Sequence, residues 1–174
     1  MLITPLPAQD FPAAEPQLVA LLLDCVHGGA SIGFLAPLSE SEALDYWRGV
    51  APQVASGSRT VLVARDDDGR IVGSAQLAYE SKPNGRHRAE VCKVMVLRSH
   101  RGRGIAAQLM DALERCARER SLRLLFLDTS EGKGGAQRFY ESLGYIYAGG
   151  IPDYALDPDG RPMKNAIYYK VLAP

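Results

Sequence analysis

Apolar residues recur along the chain first at helical spacing, then in alternation, and the two patterns mark out the elements. Residues 1–8 predict a short first strand. Leu18, Leu21, Leu22, Cys25 and Val26 fall on one helical face and predict a helix over 16–26, broken by His27-Gly28-Gly29. A second helix is expected from Ser39, where Ser39-x-x-Glu42 has capping-box spacing, with Leu44, Trp47 and Ala51 as its buried stripe. The stretches 60–64 and 71–79 read as a hairpin across Asp66-Asp67-Asp68-Gly69. Lys82-Pro83-Asn84-Gly85 is a loop, and 89–97 is a third long strand. From Ser99 to Arg120 a helix places Ile105, Leu109, Ala112, Leu113 and Cys116 on one face. A strand over 122–128, a short helix over 135–143 ended by Gly144, and strands over 145–149 and 166–172 complete the chain. Between the last two lies a Pro-, Asp- and Gly-rich loop in which Asp157-Pro158-Asp159-Gly160 reads as a turn.

The order β-α-α-β-β-β-α-β-α-β-β predicts an α+β (mixed α/β) fold in a single domain over 1–174. Its central sheet is mixed and mostly antiparallel, about seven strands with about four helices on its faces, and not a doubly wound parallel sheet. The strands 89–97 and 122–128, joined by a helix, should be parallel neighbours with a right-handed crossover.

Composition changes this picture little. The 174 residues are 47% hydrophobic and 23% charged, with 20 basic and 20 acidic side chains. The zero net charge argues against nucleic acid or an acidic membrane as the main partner. Cys25, Cys92 and Cys116 match no zinc spacing and read as reduced thiols, so no metal is expected. Residues 1–9 lack a basic segment followed by an apolar core, and the run 18–23 is too short to span a bilayer, so a cytoplasmic protein is expected.

Candidate chemistry centres on Arg98-Ser99-His100-Arg101-Gly102-Arg103-Gly104, between a strand and a helix. Glycines let backbone N–H groups approach a phosphate, the helix start adds unpaired donors, and Arg98, Arg101 and Arg103 add charge. This suits a diphosphate. Gly102-x-Gly104-x-x-Ala107 also fits a dinucleotide fingerprint, with Asp128 ending the next strand. That fingerprint normally belongs to the first of several βαβ units, whereas one unit is evident here and it begins past residue 100. A basic helix start that only caps itself is the plain alternative.

Residues 94–107 resemble the pyrophosphate-binding motif of the GNAT family of N-acetyltransferases, Q/R-x-x-G-x-G/A. Arg101, Gly104 and Ala106 fill its three defined positions. Ala136-x-x-x-Tyr140-x-x-x-Gly144-Tyr145 is similar to that family's segment after the fifth strand, with Lys133 where an Asn is frequent. The segments 27–34, 82–85, 88–91 and 166–168 resemble the branch of the family that acetylates the toxin tabtoxin.

The resemblance implies direct acetyl transfer from acetyl-CoA to a primary amine, with strands four and five splayed around the pantetheine arm. Backbone groups of Met95 and Val96 would hold that arm, and the amides of Arg101, Gly102, Arg103, Gly104, Ile105 and Ala106 the pyrophosphate. Glu90 and Asp128 are candidate proton acceptors or binders of the acceptor ammonium. Tyr140 matches the position of the acid that protonates the leaving thiolate, and its replacement by Phe is expected to lower kcat by roughly 10- to 10³-fold. The acceptor pocket is expected from loops 27–34, 82–86 and 152–165, with His27, Ser31 and Tyr154 as contacts. A small amino-acid-like amine, a toxin or antibiotic among them, is the expected acceptor. A protein Lys or N-terminus and a non-catalytic acyl-CoA sensor are the alternatives. Pairing of two copies through C-terminal strands, as in many relatives, is also implied.

Overall fold

The computed structural model describes residues 1–130, 135–157 and 160–172. Among these, β1 (Leu2–Pro5), β2 (Arg59–Arg65), β3 (Ile71–Tyr79), β4 (Arg88–Val96), β5 (Leu124–Ser130), β6 (Ile146–Gly149) and β9 (Asn165–Val171) form a sheet in the order β1-β2-β3-β4-β5-β9-β6. β7 (Ala155–Leu156) and β8 (Pro162–Met163) make a separate two-stranded ribbon. Only β4 and β5 run parallel within the sheet, as the crossover predicted. The helices are α1 (Phe11–His27), α2 (Glu40–Ala55), α3 (Ile105–Glu119) and α4 (Ala136–Ser142).

The near-continuous apolar runs of the central strands follow from burial on both faces. In β2, Leu62 and Ala64 point into the core beneath α3, while Val61 and Val63 point into the core beneath α1 and α2. Leu109, Met110 and Leu113 of α3 fill the first core, and Leu18, Leu21, Leu22 and Trp47 fill the second. Trp47 is 1% exposed, and its Nε1–H donates to the Leu18 carbonyl at 2.9 Å, so α1 and α2 are fixed to each other. The capping box at Ser39 forms as read: Glu42 N–H donates to Ser39 Oγ, and Ser39 N–H to the Glu42 carboxylate.

Several boundaries differ from expectation. β5 runs from Leu124 to Ser130 rather than over 122–128, so Asp128 lies within the strand and not at its end. α1 starts one turn early, at Phe11 rather than residue 16, because Pro12 is tolerated in the first turn where no N–H partner is needed. α3 starts at Ile105 rather than after Ser99, because residues 98–100 form a 3₁₀ turn and Gly102 and Gly104 reverse the chain at φ 75 and 74. The 150–165 loop contains β7 and β8, whose two-residue strands carry no readable alternation. Its turn is seen at Gly160, whose N–H donates to the Asp157 carbonyl at 2.9 Å; Pro158 and Asp159 lie outside the described residues.

Candidate active site

The β4–β5 ladder is short. Arg88, Ala89 and Glu90 pair with Leu124, Leu125 and Phe126, and no later residue of β4 pairs with β5. Both strands continue, β4 held by β3 and β5 by β9. A β-bulge interrupts the β3–β4 register between Ser74 and Gln76, and Lys93 there takes φ 53. Bulges bend the strand that carries them, and the sheet opens past Glu90 into a cavity of about 600 Å³. Its walls are residues 90–94 of β4, 128–130 of β5, Ala136 and Tyr140 of α4, the loop 28–33, Arg101, Tyr154, Ala155 and 163–165.

The turn that leads from β4 into α3 opens beside this cavity. The first bond of the α3 ladder is Gln108 N–H to the Gly104 carbonyl, 3.1 Å, so the amides before Gln108 stand at an open helix end. Those donors and the positive dipole end of a 15-residue helix suit an anion. Arg98, expected to supply charge, is occupied: its backbone N–H and its Nε each donate to the Asp24 carboxylate at 2.8 Å. Burial works against the charge of Asp24, and the Arg98 hydrogen bonds outweigh it, holding this carboxyl below its ordinary value. Arg101 Nε reaches the Val96 carbonyl at 3.4 Å, and Arg103 Nη2 donates to the Ser99 carbonyl at 3.3 Å. The side chains of Arg101 and Arg103 thus brace the loop.

Glu90, Asp128 and Tyr140 meet at the cavity, as do Ser31 and Tyr154. Glu90 is half-buried, and burial, then the negative charge of Asp128, push its carboxyl above the ordinary value; Lys93 and Arg59 pull in the other direction. Asp128 is exposed. Tyr140 packs against Tyr145 and Tyr168, with ring centroids 6.0 and 6.2 Å away. Its hydroxyl makes no hydrogen bond to the described residues, and burial, then Asp128 and Cys92, push it up to about 12. A phenol so placed keeps its proton at neutral pH and can donate it.

Three expected contacts lie elsewhere. His27 ends α1 outside the cavity lining, and its Nε2 accepts from Leu38 N–H at 3.3 Å, which ties the 28–38 loop to the helix end. Met95 and Val96 also lie outside the lining: Met95 is buried beneath α1, and the Val96 carbonyl already accepts from Cys25 and Arg101. The stretch of β4 that faces the opening is 90–94. Lys133 lies outside the described residues.

Sequence reasoning missed Cys92 and Lys93. Strand alternation assigns neighbours to opposite faces, and the bulge, which brings both to the cavity, leaves no compositional mark. It missed Tyr46, which with Phe34 of the expected 27–34 wall flanks Lys93, because Tyr46 reads as an ordinary helix position. Asn165, the last residue of the expected 152–165 wall, is 2% exposed; its Oδ1 accepts from Ile151 N–H at 2.8 Å, and its Nδ2 has no partner among the described residues. Among the described residues, no three His, Cys, Asp or Glu side chains cluster as a metal site requires, and no helix is long and apolar enough to cross a membrane.

The fold that carries this cavity is shared with known proteins. The model of the acetyltransferase (GNAT) family matches residues 27–145, and the chain belongs to that family. A curated relative from Azospirillum brasilense, described as an uncharacterized N-acetyltransferase in the hisH-hisA intergenic region, is 34% identical over 110 residues; the match covers 62% of this chain and 63% of the relative's length. The ribosomal-protein-alanine N-acetyltransferase of Brucella melitensis superposes with a TM-score of 0.81 at 25% identity, covering 99% of this chain and all of the other. An acetyltransferase of Salmonella typhimurium, solved with its cofactor acetyl-CoA, superposes with a TM-score of 0.78 at 20% identity over 100% of this chain and 95% of the other.

Acetyl-CoA is the coenzyme of this family. The residues present fit it: the open amides before Gln108 suit its pyrophosphate, and the gap beyond Glu90 suits an extended arm.

Proposed function

We propose that the chain transfers the acetyl group of acetyl-CoA to the primary amine of a small amino-acid-like molecule, a toxin or antibiotic among the candidates. The observation that carries this reading is the cavity opened by the β4–β5 split, which is lined by a carboxylate of raised affinity for protons on β4 and a phenol of raised pKa on α4. An amine near pH 7 is mostly protonated and must lose a proton to attack. Glu90, half-buried, is the proton acceptor. Asp128, exposed, attracts the ammonium, and its negative charge raises Glu90. Tyr140 donates to the departing sulfur. The amides of residues 101–106 hold the pyrophosphate, and residues 91–94 of β4 stand in for Met95 and Val96 along the arm. Ser31 and Tyr154 flank the acceptor.

The enclosing segments 28–33, 154–155 and 163–165 support a small acceptor over a protein. The likeness to a ribosomal-protein-alanine N-acetyltransferase favours the second reading, transfer to a protein N-terminus. A panel of amino acids, simple amines and N-terminal peptides, assayed for free thiol with acetyl-CoA, tests both. Turnover on small amines supports the first reading. Turnover confined to peptides overturns it, and acetyl-CoA binding without turnover points to a sensor. Two copies pair through the β6 edge, where Ile146 and Tyr147 are exposed, and light scattering on the purified protein checks this. The three free thiols fit a reducing, cytoplasmic setting.

A further inference from the structure

Lys93 interrupts the apolar strand Val91-Cys92-Lys93-Val94-Met95-Val96 at the bulge, in a left-handed conformation rare for lysine. Most lysines of this kind reach out to water. This one lies over two rings, its Nζ 5.4 Å from the centroid of Phe34 and 5.7 Å from that of Tyr46. The loop closes on it as well: a Cβ on Gly33 would stand 3.2 Å from Nζ. Among the described residues Lys93 forms no salt bridge. Ring faces alone offset only part of the cost of taking a cation out of water. Burial accordingly holds its pKa below the ordinary value.

A second cation backs the same wall. Arg59 Nη1 donates to Gln76 Oε1 at 2.5 Å and lies 3.3 Å from Cys92 Sγ, and Tyr46 donates to the same Gln76 oxygen. Glu90, Lys93, Arg101, Asp128 and Lys164 line the cavity, and Arg59 stands behind Cys92, so both signs of charge face one space. A ligand carrying both charges matches this lining; a bare amine does not.

We infer that Lys93 binds an acidic group of the acceptor, carboxylate or phosphorus-acid oxygens, while Glu90 and Asp128 receive its amine, so that the acceptor class is small zwitterions. This rests on the cavity being the acceptor site proposed above. The rival explanation is that Lys93 merely balances the two carboxylates, in which case every amine depends on it alike.

The test is calorimetric titration of the CoA-loaded protein with paired ligands: standard amino acids and their α-amides, and aminoalkylphosphonates and the matching alkylamines. Wild-type protein is compared with Lys93→Met, Lys93→Gln and Lys93→Arg, each checked for a cooperative melt. The expected result is a preference of about tenfold or more for an acid-bearing ligand over its neutral partner, lost in the Met and Gln variants and kept in the Arg variant. The carboxylate and phosphonate arms report which acid is held. Equal binding of acid-bearing and neutral ligands to wild type, no binding of any acid-bearing ligand, or an equal loss for both ligands in Lys93→Met overturns the inference. Acid-dependent binding without thiol release on adding acetyl-CoA upholds the inference and overturns the transfer reading instead.

Discussion

Replacing Tyr140 by Phe removes one oxygen from the cavity wall and leaves the ring packing against Tyr145 and Tyr168 intact. The structure narrows the expected effect. An ordinary thiol titrates near about 8.5. Tyr140 is held up to about 12. Full proton transfer to the departing thiolate is therefore uphill by roughly 3.5 pKa units, about 5 kcal/mol at 1.36 kcal/mol per unit. The hydroxyl must act chiefly through a hydrogen bond that strengthens as sulfur becomes anionic, worth about 1.5–3 kcal/mol for a charged partner. That range corresponds to a fall in kcat of roughly 10- to 150-fold, the lower part of the span expected for a general acid. Thiol release at saturating acetyl-CoA measures it. Because the hydroxyl has no partner among the described residues, the thermal midpoint should shift by less than about 3 °C. Ionisation near about 12 also means that wild-type kcat does not decline between pH 7 and pH 10 through loss of this proton. Unchanged kcat in Tyr140→Phe across that range refutes the assignment, and a fall beyond about 10⁴-fold refutes the hydrogen-bond argument.

Glu90→Gln should lower kcat/KM by about 10²-fold and remove its acid limb, which in wild type lies above 4.5 because burial and Asp128 raise this carboxyl. The same shift has a stability sign: a raised folded-state pKa gives stability present below 4.5 and lost as pH rises through the folded value, so the Tm advantage of Glu90→Gln should grow from pH 4 to pH 7 in melting curves. Gly104→Ala forces a side chain to φ 74 at the start of α3; it should cost about 1–2 kcal/mol in denaturant unfolding and raise the KM for acetyl-CoA. Arg98→Ala, by contrast, breaks a half-exposed pair with Asp24, so unfolding should register less than about 1 kcal/mol, with acetyl-CoA affinity changed by no more than a few-fold in titration. Trp47→Ala empties a fully buried site between α1 and α2 and should cost about 3–5 kcal/mol by the same unfolding assay.

The sheet and its helices were legible because their signals are local or repetitive. Leu109 and Leu113 at helical spacing, the two-faced apolar run of β2 and the Ser39 capping box each declare their element without reference to the rest of the chain. The glycine turn at 102–104 was legible for the same reason, since it combines a compositional signal with a strand before and a helix after. What the sequence hid depends on register and on distant partners. The Lys93 bulge adds a residue without a glycine to mark it. Arg98 reads as phosphate-binding charge until Asp24, 74 positions away, is found to occupy it. His27, in a Gly-rich segment, reads as a site residue until Leu38 is found against its ring. The roles given to Glu90, Asp128 and Tyr140 were reachable only through resemblance, because no spacing along the chain reports that β4 and β5 part between them.

The central claim is acetyl transfer to an amine within the gap between β4 and β5. Its most direct test follows free thiol and acetylated amine together, on one sample, over the amine and peptide panel. The account predicts equal amounts of the two products, saturable in both substrates, on at least one small amine, and a loss of about 10²-fold in Glu90→Gln at unchanged thermal stability or better. Tight acetyl-CoA binding with no acetylated product from any acceptor would contradict it.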